Sequence, residues 1–165
     1  MTRLIAHRGY SGKYGDNNMR SFEKAIERGF DMIELDIQLC KSGDIVIYHD
    51  VHCDGLIVND MEIDDINKYN IIKLTDFFNK ITPNKVDIFL DIKGETDITC
   101  ELYKIITEHF SCDIIKHIYI SSFNRLIMEN IQLLHSTSFP VNIGFTTSNS
   151  YTPQECDLLF KNIHF

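Results

Sequence analysis

An α/β fold with a largely parallel sheet is predicted by three observations. Short apolar, β-branched runs recur along the 165 residues. Most are separated by stretches whose apolar residues fall at helical spacing, the alternation expected of β/α units. Polar residues suited to chemistry stand where several of the runs stop, which is where active sites sit in parallel α/β architectures. The runs are Leu4–Ala6, Met32–Leu39, Ile45–Tyr48, Val86–Ile92, His117–Ser121 and Val141–Phe145.

The first run leads into Ile5-Ala6-His7-Arg8-Gly9, and a helix should follow it. Asn17 or Asn18 can cap that helix, Met19, Phe22 and Ile26 form its apolar stripe, and Gly29 ends it, leaving Glu23, Lys24 and Glu27 to water. Met32–Leu39 divides by face: Ile33, Leu35 and Ile37 point one way, Glu34, Asp36 and Gln38 the other. Two unpaired carboxylates inside an open sheet covered on both faces would cost several kcal/mol each; a barrel mouth or a switch-point crevice removes that conflict. Same-face neighbours on a strand lie about 6.5 Å apart, so Glu34 and Asp36 can share one cation.

A second histidine closes the next run as Ile47-Tyr48-His49-Asp50, where Asp50 is placed to orient the imidazole or cap the loop. The connection from Asp50 to Thr75 has the isoleucines for a small helix but no strong strand signal, and a loop of that length often carries function. Val86–Ile92 presents Asp91 at its end, with Lys93 following. Ile98, Leu102, Ile105 and Phe110 mark one more helix, and Ile127, Ile131 and Leu134 another. Thr152-Pro153-Gln154-Glu155 has the start signature of a last helix. The expectation is that the strand ends bearing His7, Glu34 and Asp36, His49 and Asp91 converge on one site.

Composition narrows the function classes. At 44% hydrophobic the chain can bury one core, so residues 1–165 read as a single domain. A net charge of -8 without a Lys/Arg cluster offers no footprint for nucleic acid or an anionic membrane. The N-terminal residues lack the apolar stretch of a signal peptide or a membrane span, so a soluble, cytoplasmic protein is expected. Cys40, Cys53, Cys100, Cys112 and Cys156 show no Cys-x-x-Cys pair and read as reduced, mostly buried thiols. His52, His109, His117, His135 and His164 read as structural, Ser121 and Ser122 as backbone-capping hydroxyls, and Phe77 and Phe78 as helix core.

The ordered set His7-Arg8-Gly9, Glu34-Leu35-Asp36 and His49-Asp50 resembles the glycerophosphodiester phosphodiesterase family. The resemblance continues through Asp16-Asn17-Asn18-Met19-Arg20-Ser21-Phe22, Asp91-Ile92-Lys93 and Ser121-Ser122-Phe123, so it spans nearly the whole chain. It implies a TIM-type (β/α)₈ barrel. It also implies Glu34, Asp36 and Asp91 as ligands of one divalent cation, Mg²⁺ or Ca²⁺, with His7 and His49 as acid and base. Arg8, Lys93 and Asp16 would contact substrate. The implied reaction is attack of the substrate's own glycerol hydroxyl on phosphorus, followed by opening of the cyclic phosphate with water.

This chain departs from the family pattern in three ways. Asp16 and Asp91 stand where the family usually has glutamate, setting each carboxylate about 1.5 Å further back. The connection after Asp50 lacks the family's Arg-Thr signature, and no tryptophan is present. Such barrels need about 200 residues or more, so the expectation is a shortened barrel, incomplete at its C-terminal end, which ends around its seventh strand. Open strand edges would then favour a homodimer. Two rival readings are a degenerate barrel that binds phosphodiester or metal without turnover, and a lipid phosphodiesterase resembling the sphingomyelinase D type.

Overall fold

A computed structural model describes residues 2–135, 139–144 and 146. In chain order the N-terminal elements are β1 (Ile5–His7), α1 (Ser11–Tyr14), α2 (Met19–Arg28), β2 (Met32–Leu39) and β3 (Ile45–Ile47). A small hairpin of β4 (His52–Cys53) and β5 (Leu56–Ile57) leads to α3 (Ile63–Lys68), β6 (Ile72–Lys73) and α4 (Leu74–Lys80). Then come β7 (Asp87–Ile92), α5 (Thr99–His109), α6 (Cys112–Ile115), β8 (Ile118–Ser122), α7 (Arg125–His135) and β9 (Asn142–Ile143).

The main sheet has seven strands among the described residues, in the order β6-β3-β2-β7-β8-β9 with β1 also on β2. The pairings of β1 with β2, β2 with β7, β7 with β8 and β8 with β9 are parallel. Their registers stack Ile33 beside Ile88, Leu35 beside Leu90 and Ile37 beside Ile92. These six side chains, all at most 1% exposed, join Phe22, Phe77, Leu102, Ile106, Ile127 and Ile131 in one core. The apolar stripes of α2, α4, α5 and α7 thus cover one face of the sheet, as the helical spacing predicts. The opposite face carries Glu34, Asp36 and Gln38, and Asp91 lies directly opposite Asp36.

Two strands run against this pattern. β3 and β6 are antiparallel, and not the parallel β/α strands that Ile45–Tyr48 suggested. The cause is local: the chain turns back on β2 through Cys40–Asp44, with Cys40 N–H donating to the Asp44 carbonyl and Gly43 at φ 86°. Parallel strands need a crossover of a dozen or more residues, and this link has too few. The consequence is a seam. β1 pairs with β2 only as far as Glu34, β3 comes back along the same edge as far as Ile37, and Tyr48 N–H reaches the Asp36 carbonyl between them.

Other expectations resolve as follows. Asn18, not Asn17, caps α2, its side chain accepting from Ser21 N–H at 3.0 Å, and Gly29 closes the helix in the left-handed region. The 50–75 connection holds the expected small helix, α3, together with a hairpin and β6. Phe77 and Phe78 are buried. Cys40 and Cys53 are buried free thiols, but Cys100 and Cys112 are exposed because they lie on the outer faces of α5 and α6. Phe145, the helix expected from Thr152, Cys156 and His164 lie outside the described residues.

Gly9 follows the β1 histidine and arginine at φ 79°. A Cβ there would overlap Ser21 Oγ and sit 2.9 Å from both Phe22 Cδ1 and the Ser21 carbonyl carbon. Gly9→Ala therefore combines a left-handed strain with overpacking of the first turn of α2, at a cost of about 2–4 kcal/mol. A urea midpoint within experimental error of the parent would refute this.

Candidate active site

The seam on β2 is where the functional side chains gather. β1 delivers His7 opposite Glu34, and the turn after it places Arg8 at φ 56° with its backbone N–H 2.8 Å from Glu34 Oε2. His7 Nε2 lies 4.0 Å from the same oxygen and is well exposed. β3 descends from the other side, so His49 arrives at the end of an antiparallel strand and two residues beyond it, not at the tip of a parallel one. Asp50 Oδ1 lies 2.6 Å from His49 Nδ1, which orients the ring as the adjacent acid suggested.

Glu34, Asp36 and Asp91 are buried and each offers an oxygen within 4.8 Å of the other two. Asp36 is the most enclosed, at 0% exposure. Its Oδ2 accepts from Asn17 Nδ2 at 2.8 Å and forms an ion pair with Arg8 Nε at 3.0 Å, while its Oδ1 lies 3.1 Å from Lys93 Nζ. Neither charged contact is aligned as a hydrogen bond. Lys93 also pairs with Asp91, whose other oxygen accepts from Ser121 Oγ at 2.9 Å and Thr146 Oγ1 at 3.2 Å. Arg8 reaches outward to Asp16 at 3.1 Å. All eight residues singled out from sequence thus fall in this region, linked through Arg8, Lys93 or a shared cleft.

Crowding three acids has an electrostatic consequence. Burial, and then the charge of Asp36, push the Glu34 carboxyl up to about 7, against the pull of the Arg8 N–H. Burial alone would lower the Lys93 pKa, but its hydrogen bond and charge pairing with Asp91, together with the nearby negative charge of Asp36, outweigh that and raise it. The chemistry of the donors fits a hard divalent cation: carboxylate oxygens only, converging from two adjacent strands, with negative charge that Arg8 and Lys93 offset in part.

Two clefts flank the cluster. One of about 330 Å³ is lined by Arg8, Asp16, Asn17, His49, Asp50 and Tyr69, among others. The other, of about 370 Å³, lies at the ends of β7 and β8 between Lys93, Glu95, Phe123 and Arg125. A third hollow of about 330 Å³, between Tyr10, Lys13, Tyr14, Lys24, Glu27 and Arg28, contains none of the acids or site histidines and is a surface groove along α1 and α2.

Sequence reasoning passed over four residues of this network. Asn17 reads as an alternative cap, yet its neighbour does the capping and leaves it free to hold Asp36. Ser121 reads as a turn hydroxyl, yet the register places it beside Asp91. Gln38 shared a face with the acids, which was the available signal. Thr146 carried no signal, since its partner is 55 residues away. Of the other histidines, His117 Nδ1 lies 2.8 Å from Asp87 Oδ1 at the far end of the sheet, and His109 Nδ1 lies 2.8 Å from the Ile105 carbonyl oxygen.

The model of the glycerophosphoryl diester phosphodiesterase family matches residues 7–156. YqiK of Bacillus subtilis (strain 168) is 58% identical over 50 residues, which cover 30% of this chain and 21% of that protein. A glycerophosphodiester phosphodiesterase of Caldanaerobacter subterraneus subsp. tengcongensis is 30% identical over 154 residues, covering 79% of this chain and 62% of that protein. The chain therefore spans less than two thirds of the length of either relative. In fold it is similar to an Oleispira antarctica phosphodiesterase solved in complex with the product sn-glycerol-3-phosphate, with a TM-score of 0.81, 19% identity, and coverage of 98% of this chain and 72% of that one. That likeness confirms the TIM-type architecture, here with five parallel strands among the described residues. With the motifs, their register and the family model in agreement, the chain belongs to the glycerophosphoryl diester phosphodiesterase family.

Proposed function

We propose that this chain is a metal-dependent phosphodiesterase that hydrolyses glycerophosphodiesters to glycerol 3-phosphate and an alcohol. The observation that carries the reading is the meeting of three buried carboxylates with two cationic side chains and two histidines along one strand seam. Glu34, Asp36 and Asp91 would hold Mg²⁺ or Ca²⁺. Such an ion supplies positive charge that offsets the phosphoryl oxygens when it is bound.

The chain's own residues account for the remaining requirements. Arg8 is anchored by Asp36 and Asp16, so its guanidinium stands at the cleft with part of its donor set free for phosphate. Lys93, held between Asp36 and Asp91, adds a second phosphate-directed charge. One imidazole takes the proton of the substrate's glycerol hydroxyl as its oxygen bonds to phosphorus. The other gives a proton to the departing alcohol as the P–O bond to the headgroup breaks. Water then bonds to phosphorus as the ring P–O bond to the glycerol oxygen that attacked breaks; the proton roles are reversed, one imidazole taking the water's proton and the other giving one to that oxygen, which returns both histidines to their starting states. Asp50 keeps His49 in one ring orientation through that cycle.

Incubation with glycerophosphocholine and either cation should release glycerol 3-phosphate, and a chelator should stop it. Absence of product with choline, ethanolamine, serine and inositol headgroups would overturn the assignment, and tight binding without turnover would favour the degenerate barrel. A requirement for an acylated substrate would instead favour the lipid-directed rival. Among the described residues no helix is long and apolar enough to cross a membrane.

A further inference from the structure

Gln38 lies two residues beyond Asp36 on the acid face of β2 and is 1% exposed. Its Nε2 donates to the carbonyl oxygens of both Tyr48 and Asp50, each at 2.9 Å. Those two carbonyls bracket His49. Reversing the amide would set Oε1 against two carbonyl oxygens, so the hydrogen bonds themselves fix its orientation. Among the described residues Oε1 in turn has no hydrogen-bond partner, and it lies beside Gly94, where a Cβ would stand 4.0 Å away.

A buried amide with an unsatisfied acceptor is costly to keep for packing alone, because the lost hydration of that oxygen is not replaced. What this one holds is specific. β3 ends at Ile47, and the Tyr48 N–H bond to the Asp36 carbonyl is the last ladder contact before His49. Beyond it, the two Gln38 bonds tie the Tyr48–His49 peptide and the Asp50–Val51 peptide, one before the histidine and one a residue past it, to the strand that bears Glu34 and Asp36. Asp50 then sets the ring, at 2.6 Å from Nδ1.

We infer that Gln38 is a positioning residue for His49, fixing its backbone relative to the acid cluster; this rests on the reading of His49 as a proton carrier. Gln38→Met keeps the length and bulk of the side chain and removes both N–H donors. The inference requires kcat for glycerophosphocholine to fall about 10- to 100-fold, as supporting-shell losses commonly do. KM and the Mg²⁺ dissociation constant should hold, because no group proposed to touch substrate or cation has changed.

Two readings separate positioning from general loosening. In a His49→Ala background, assayed with a p-nitrophenyl phosphodiester, Gln38→Met should cost nothing further, since the group it acts through is gone. With ¹³C-labelled histidine rings, the His49 resonance and its titration should move in Gln38→Met while those of His7 stay. An equal fold-loss in both backgrounds, or a His49 resonance identical to the parent, would overturn the inference. If Gln38→Met does not fold, Gln38→Asn, which retains the amide but cannot span both carbonyls, is read the same way. The ring titrations need no turnover, so an inactive parent protein would count against the proposed reaction without deciding the role of Gln38.

Discussion

Glu34→Ala and His7→Ala should each lower turnover by about 10³-fold or more while both variants remain folded. The two should nonetheless fail differently. Glu34 contributes one of three converging carboxylates and lies within the cluster, so its loss removes cation binding along with activity. His7 is exposed and stands 4.0 Å from Glu34, so its loss should spare the cation site and the core. Calorimetric titration with Mg²⁺ beside a glycerol 3-phosphate assay distinguishes the two. A His7→Ala protein with normal kcat, or a Glu34→Ala protein that still binds and responds to the cation, would remove these residues from the mechanism. Folding survives in both because neither side chain belongs to the apolar core formed by β2, β7, β8 and the covering helices.

Glu34→Gln should stabilise the metal-free protein at pH 8 while abolishing its activity. Burial and Asp36 raise the Glu34 pKa from 4.5 to about 7, so the folded state keeps this proton over a range in which the unfolded chain has lost it. Below pH 4.5 both states are protonated and the group favours neither. As pH rises toward 7 the unfolded state is progressively preferred, and above 7 the full penalty is present, on the order of 3 kcal/mol. Glutamine cannot ionise and escapes the penalty while its carbonyl still accepts from Arg8 N–H. Urea unfolding with a chelator present, at pH 4 and pH 8, measures the difference between parent and variant. The gap should open only at the higher pH; a gap of equal size at both would show that Glu34 ionisation is not its source. Added Mg²⁺ or Ca²⁺ should raise the melting temperature of the parent at pH 8 and leave Glu34→Gln much less affected.

Both predictions express a conflict between stability and function that is visible in β2. Ile33, Leu35 and Ile37 stabilise the sheet on one face, whereas Glu34, Asp36 and Gln38 occupy buried positions on the other at a solvation cost. Arg8, Lys93, Asn17 and Ser121 recover part of that cost through ion pairs and hydrogen bonds to the acids. Gln38 Oε1, which has no hydrogen-bond partner among the described residues, shows that the recovery is incomplete.

Much of this site was legible because its order along the chain follows local rules. Alternation within Met32–Leu39 placed Glu34 and Asp36 on one face, and the end of the Val86–Ile92 run marked Asp91. The cap and stop of α2 could be read directly from Asn17-Asn18 and Gly29. Strand direction was less legible. Ile45–Ile47 has the composition of any buried strand, and its antiparallel course depends on the short turn at Cys40–Asp44 and on pairing with Ile37–Leu39.

The sequence by itself determined which residue types the site contains, which faces they share, and which family motif they form, because side-chain periodicity and capping act over a few neighbouring residues. Only the tertiary structure decided that β1 and β3 divide one edge of β2, that Asn17 turns inward to Asp36, and that Ser121 and Thr146 close on Asp91. Strand register joins residues far apart in the chain, and no local pattern encodes which edge a short strand will take.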